Sequence, residues 1–300
     1  MQRKLVYLVN PISGTKGKAA LKEMIAKKTQ AHHLAFEILA TNKEGNYDHL
    51  RKKIESDGIT DVIVCGGDGT VSAVAGSLLN TSVAVGIIPM GSGNGLALTA
   101  RIPVAASKAL DIIFAGKSGW IDGFYINDRF SCMLAGLGFD AQVAKDFDSV
   151  KRRGLQTYLK ICAINYFKAK AHPFEIISKK KKISTEAFFL SIANSNQFGN
   201  HFTIAPHASL TDGLLDIVIA KKMNKLMLPF SILHQFTGIN AIQTLDDHID
   251  RKNVLYFQTT GLVILNPGLA PLHVDGEPMP PASRIEVKIM PNAFRLLQPF

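Results

Sequence analysis

Cysteine and tryptophan are scarce in this chain: Cys65, Cys132 and Cys162 are the only thiols among 300 residues, and there is one tryptophan. Three widely spaced thiols cannot make a disulfide framework and lack metal-ligand spacing, so they are expected to be reduced and to pack as small apolar residues. The nine histidines show no zinc spacing, and no Ser-His-Asp set can be assembled. Acids are outnumbered, 24 against 34 Lys plus Arg, a net charge of +10 that favours anionic partners such as nucleotides or an acidic membrane face. Basic residues are not interleaved with aromatics, so nucleic acid is not expected. The apolar run after Met1 is too short for a signal peptide. Residues 69–100 carry no charge, yet Asn80-Thr81, Pro89, Asn94 and repeated glycines break them, so a buried helix, strand and loop are expected instead of a membrane span.

With 47% apolar and 19% charged residues, the chain can bury a core, and its length suits two domains. The first third alternates. Leu5 to Val9, Ala35 to Ala40, Val62 to Cys65 and Val83 to Ile88 read as strands; Lys16 to Lys28, Tyr47 to Ser56, Val71 to Leu79 and a stretch from about Gly95 read as helices. In the third helix, Val71, Val74, Ala75, Leu78 and Leu79 form one apolar stripe. Repeated βα units predict a parallel sheet with helices on both faces. Near Gly116 the period changes: Trp120, Phe124 and Ile126 alternate with polar residues, and short strands follow at 174–177, 187–193, 215–220, 254–258, 261–265 and 284–289. These predict a largely antiparallel sandwich with helical insertions at 158–170 and 226–245. The expected division is an α/β domain over 1–118 and a β-sandwich domain over 119–290, with a final strand, 291–300, free to return to the first. No repeat or low-complexity linker separates them.

Three turns rich in Gly, Ser and Asn fall at one edge of the predicted parallel sheet, where ligands of such sheets bind. They are Asn10-Pro11-Ile12-Ser13-Gly14, Gly66-Gly67-Asp68-Gly69-Thr70, and Pro89-Met90-Gly91-Ser92-Gly93-Asn94-Gly95. In the second, glycines bare the backbone N–H groups and a helix begins at once, as a phosphate cradle requires. Asp68 then needs a divalent cation or a proton to accept, unless it is only a helix N-cap. Later, Val274-Asp275-Gly276-Glu277 places two carboxylates around a glycine, either a solvent-exposed hairpin or a general base from the other domain. Asp212-Gly213 reads as a hairpin turn or as a hard-cation loop. The run 179–182 reads as a solvated turn, with a role at an anionic membrane surface as the alternative.

In this order the motifs resemble the diacylglycerol kinase catalytic domain superfamily of lipid kinases, which also contains sphingosine and ceramide kinases. Gly136 to Asp140 and Ala205-Pro206 extend the resemblance over nearly the whole chain, although the GGDGT element also occurs in NAD kinases and phosphofructokinase-like enzymes. The resemblance implies a nucleotide-binding α/β domain, a β-sandwich domain and an active site between them. By resemblance, ATP would contact Asn10, Pro11, Ile12, Ser13, Gly14, Thr41, Gly66, Gly67, Asp68, Gly69, Thr70, Val71, Ser72, Ala73 and Ser92. Asp68 would organise Mg2+ and phosphates; Glu277, with Asp275 beside it, would accept the proton of the lipid hydroxyl. Ser209, Asp212 and Leu214 would hold a structural Mg2+, Asp212 through its carboxylate and the others through carbonyls, with Lys160 in a linking ion pair.

The function expected is transfer of the γ-phosphate of ATP to a diacylglycerol-like or sphingoid lipid, with a place in phospholipid biosynthesis. A cytoplasmic protein, peripheral on the inner membrane face, is expected, and a homodimer is allowed. The lipid tail would enter a groove rimmed by Phe and Met residues of 223–236, whose other role is core packing. Two positions depart from the family pattern. Gly95 stands where many bacterial members have an acid, which leaves the acceptor lipid open, and Phe198-Gly199-Asn200-His201 replaces a Tyr-Gly-Gly-Gly segment. The alternatives are a soluble-nucleotide kinase of the NAD kinase type, against which stands the lack of an Asn-Glu pair after a mid-chain strand, and a non-catalytic lipid-binding regulator.

Overall fold

The computed structural model describes residues 3–10, 18–42, 45–150, 155–179, 181–199, 202–203, 205, 207–224, 248–250 and 253–299. The first part is regular: β1 (Lys4–Val9), α1 (Lys18–Ala31), β2 (Ala35–Ala40), α2 (His49–Asp57), β3 (Asp61–Gly66), α3 (Asp68–Ser77), β4 (Ala84–Pro89), α4 (Gly95–Thr99) and α5 (Ala106–Ala115). Its strands pair in parallel in the order β4-β3-β1-β2. Every residue of β3 and β4 is buried, the expected texture of strands covered on both faces. Val71, Val74, Ala75, Leu78 and Leu79 are all buried, so the stripe of α3 is its packing face; each large side chain there contributes about 1.5–3 kcal/mol.

The helix expected from Gly95 is two helices. Arg101 has a left-handed φ of 57°, and Pro103 both lacks an N–H and disfavours helix at the residue before it. Together they end α4 and offset α5.

Then follow β5 (Ser118–Ile126), β6 (Arg129–Ser131), β7 (Leu134–Gly138), α6 (Phe139–Ser149), α7 (Leu155–Lys168), β8 (His172–Ser178), β9 (Lys182–Ala193), β10 (Gln197–Gly199), β11 (Phe202–Thr203) and β12 (Leu215–Lys221). The remainder is strand: β13 (His248–Asp250), β14 (Val254–Thr259), β15 (Gly261–Leu265), β16 (Leu272–Val274), β17 (Glu277–Met279) and β18 (Arg284–Leu297). Pairing in this part is antiparallel, and a second apolar core fills it, with Phe124, Leu137, Ile192, Ile217 and Ile264 at its centre. Helix α6 begins inside the Gly136 to Asp140 element, at Phe139, and lay unmarked among the β runs. The helical segment expected at 226–245 lies outside the described residues.

Strand β18 joins the two parts. It pairs with β15 over Arg284 to Lys288 and with β5 over most of its length, and its end pairs in parallel with β4 at Arg295 and Leu296. Between Met290 and Phe294 the register against β5 shifts. That bulge shifts the inside–outside phase of β5, so Trp120 is exposed at 44% while Phe124 and Ile126 are buried.

Candidate functional site

Three backbone bonds align the carboxyl ends of the parallel strands. Asn10 N–H donates to the Cys65 carbonyl at 3.2 Å, Thr41 N–H to Val9 at 3.2 Å, and Met90 N–H to Gly66 at 2.9 Å. Asn10, Thr41, the Gly66 loop and the Met90 loop therefore share one edge; Pro11, Ile12, Ser13 and Gly14 lie outside the described residues. Gly67 and Gly91 touch backbone to backbone: a Cβ built on Gly91 would lie 2.7 Å from the Gly67 Cα, and one on Gly67 3.1 Å from the Gly91 Cα. Only glycine permits that approach. Asn94 adopts a left-handed φ of 55° and closes the second turn on itself, accepting from Gly91 N–H at 2.8 Å and donating to its carbonyl at 2.9 Å.

Asp68 opens α3 but does not cap it. Its carboxylate accepts from Gly95 N–H at 3.0 Å and Leu96 N–H at 3.2 Å, so it caps α4 and ties the two glycine turns together. Burial pushes its carboxyl up, and the backbone donors at Gly95, Leu96 and Asn94 only partly offset this. Val71 and Ser72 point into the protein: Val71 is core, and the Ser72 hydroxyl meets Cys132 Sγ at 3.1 Å and accepts from Cys132 N–H at 3.2 Å. Of the residues expected at ATP, these two thus offer only backbone. Thr70 fills the space over Gly66, Ala73 is partly buried, and Ser92 is exposed at the loop tip. Cys65 and Cys132 are buried free thiols and Cys162 is partly buried; burial pushes Cys65 up to about 12, as suits packing residues.

The distant acidic turn reaches this edge. Asp275 and Gly276, with φ of 52° and 80°, form the tight connection of the β16–β17 hairpin. A Cβ built on Gly69 would lie 2.3 Å from Glu277 Oε1, so the Glu277 carboxylate rests on the first turn of α3. Its other oxygen pairs with Arg129 Nη2, while Arg129 Nη1 reaches Met279 Sδ at 3.0 Å. Asp275 lies deeper. Its Oδ1 accepts from Ser131 Oγ at 2.7 Å and Leu134 N–H at 3.2 Å, and its Oδ2 is buried without a partner among the described residues. Burial pushes this carboxyl up to about 6, the hydroxyls of Ser72 and Ser131 pull it down, and the charge of Asp68 pushes it up again.

Ser209, Asp212 and Leu214 share the turn before β12. Leu214 N–H donates to Asp212 Oδ1 at 3.0 Å and Thr211 N–H to Ser209 Oγ at 3.3 Å. The neighbouring Gly213 N–H donates at 2.7 Å to Asp122, whose other oxygen accepts from Asn292 in the β18 bulge at 2.8 Å. Burial, then the charge of Asp122, raises Asp212. One carboxylate and two carbonyls beside a second acid are hard oxygen donors that fit Mg2+, although no group of three His, Cys, Asp or Glu gathers among the described residues. Lys160 is exposed on α7 and has no ion-pair partner among the described residues. Lys182, from the basic run, pairs with Glu175 across the β8–β9 hairpin at 2.6 Å, in keeping with a solvated turn.

Sequence reasoning passed over Arg129, Ser131 and Asp122. An acid at an inward position of β5 was the one available signal for Asp122; Arg129 and Ser131 gave none.

A family model described as diacylglycerol kinase catalytic domain matches residues 4–126, and one described as YegS C-terminal NAD kinase beta sandwich-like domain matches residues 134–298. The chain is similar to "Probable lipid kinase YegS-like" of Chromohalobacter salexigens, 26% identical with 93% of this chain and 88% of that protein covered. It is equally similar to "Diacylglycerol kinase" of Mycobacterium tuberculosis, 26% identical with 99% and 95% covered. In fold it matches a diacylglycerol kinase from Bacillus anthracis, TM-score 0.74 at 16% identity, covering 99% of this chain and 97% of that one.

Proposed function

Because the chain belongs to the diacylglycerol kinase catalytic domain superfamily, we propose that it moves the γ-phosphate of ATP to a hydroxyl of a diacylglycerol-like or sphingoid lipid. The observation that carries this reading is the seat of Glu277. A carboxylate from the second domain rests on the first turn of α3, beside the two touching glycine turns. There the lipid oxygen would attack the γ-phosphorus, the bond to the β-phosphate oxygen would break to leave ADP, and the hydroxyl proton would pass to Glu277. Arg129 must first be drawn off Glu277, and incoming phosphate is the anion that can do so. Mg2+ bound with ATP supplies charge neutralisation. The unpartnered Oδ2 of Asp275, in the field of Asp68, fits that need, so these two acids are the ones assigned to it. Ser209, Asp212 and Leu214 are assigned a structural Mg2+.

No helix among the described residues is long and apolar enough to cross a membrane. The lipid therefore has to be met at a surface, and α7 supplies a candidate. Ile164 and Phe167, 45% and 76% exposed, lie one turn apart beside exposed Lys160, Lys168 and Lys170, a pairing of apolar and basic groups suited to an anionic bilayer. The proposed tail groove at 223–236 falls almost wholly outside the described residues.

Labelled ATP incubated with a total lipid extract, and separately with NAD, tests the reading: one labelled lipid is expected, and label on NAD instead would favour a soluble-nucleotide kinase. Asp68→Asn and Glu277→Gln should each lower turnover about a hundredfold or more. Near-normal turnover in either folded variant would overturn its assigned role, and no label in any lipid would point to a non-catalytic lipid-binding protein.

A further inference from the structure

His273 is 1% exposed in β16, two residues before Asp275. Its Nδ1 accepts from the Gly276 N–H at 3.2 Å. An imidazole nitrogen that accepts carries no proton, so in the neutral ring the proton is on Nε2. Asp140, in the first turn of α6, lies there: its Oδ2 is 3.4 Å from Nε2, and its Oδ1 accepts from Ala141 N–H at 2.8 Å. Gly136 sits directly opposite His273 in the β7–β16 pairing. A Cβ on it would fall 1.9 Å from Asp140 Oδ2 and 2.7 Å from His273 Nε2. The absence of a side chain at Gly136 is what lets acid and imidazole meet.

We infer that Asp140 and His273 are positioning residues for Glu277: Asp140 fixes the tautomer of His273, and His273 fixes the Asp275-Gly276 turn that carries the acceptor carboxylate to α3. Without that acceptor the exposed Gly276 turn is no longer tied back to β16 and its backbone can rotate, and a displacement of about 1 Å at the reacting group costs as much as a hundredfold in rate.

The inference rests on Glu277 as proton acceptor, and its test separates the two. His273→Asn keeps an acceptor at the Nδ1 position through Oδ1, whereas His273→Gln moves its amide toward Nε2 and leaves the Gly276 N–H unpaired. With labelled ATP and a total lipid extract, His273→Asn should stay within about threefold of the parent. His273→Gln should lose about tenfold to a hundredfold in kcat with the KM for ATP unchanged. Asp140→Ala, which leaves His273 present but its tautomer free, should lose about tenfold in kcat and serves if His273→Gln does not fold. In a Glu277→Gln background none of these should lose more, since residues acting through one group are not additive. Equal losses in both backgrounds, equal impairment of His273→Asn and His273→Gln, or a change carried by KM would overturn the positioning role. A fully active Glu277→Gln would overturn the acceptor reading and the positioning role with it.

Discussion

Asp216 lies in β12, 0% exposed, with Tyr256 Oη and Gln258 Nε2 donating to its carboxylate. Burial outweighs those donors and pushes its carboxyl from 3.8 to about 6, which corresponds to about 3 kcal/mol. Between about pH 4 and pH 6 the native carboxyl holds a proton that the unfolded chain has released, so stability falls as pH rises through that window and levels above it. Denaturant unfolding at pH 4.5 and pH 8 should therefore show Asp216→Asn losing about 2 kcal/mol less than the parent across the interval; equal losses would contradict it. Such residues were hard to read in the sequence. Glycine turns and the Asp-Gly-Glu element are legible because a tight turn restricts residue type within a few positions. Arg129 and Asp122 gain their meaning from partners 148 and 170 residues away, and no local pattern encodes that distance.

Among the elements, α3 was the most legible, since its buried stripe is a direct imprint of the 3.6-residue period. The break between α4 and α5 was written in Pro103, and the reading ran through it. For β5 the period-2 rule failed locally, because the bulge is in the partner strand β18 and only pairing exposes it. The two glycine turns carry the sharper expectation. In Gly91→Ala the new methyl would press on the Gly67 backbone, which cannot move aside as a side-chain end can. The variant should lose about 1–3 kcal/mol and, by separating the turns, weaken ATP binding. Thermal unfolding with and without ATP checks both, and an unchanged midpoint would show that the turns are not in contact.

Across the whole molecule, the fold class was recoverable from the change of period near Gly116, while the bulge of β18 against β5 was not, because it depends on long-range register. The proposed lipid substrate would be met at a bilayer. With a net charge of +10 and the apolar pair Ile164 and Phe167 on α7, binding to vesicles should rise with their anionic content. Ile164→Ser and Phe167→Ser together should weaken that binding about tenfold, with turnover of micellar lipid unchanged. Binding indifferent to anionic content, or to the two substitutions, would remove α7 from the docking surface.

Strand β18 has a consequence for how the protein is made. The buried edge of β4 ends at Pro89, and the strand that covers it arrives only with Arg295 and Leu296. Roughly 200 residues separate them, and at ~5–20 residues per second the ribosome leaves that edge bare for roughly 10–40 s. The parallel-sheet part therefore emerges first and is finished last, and β4 is the place where a nascent chain would need a chaperone.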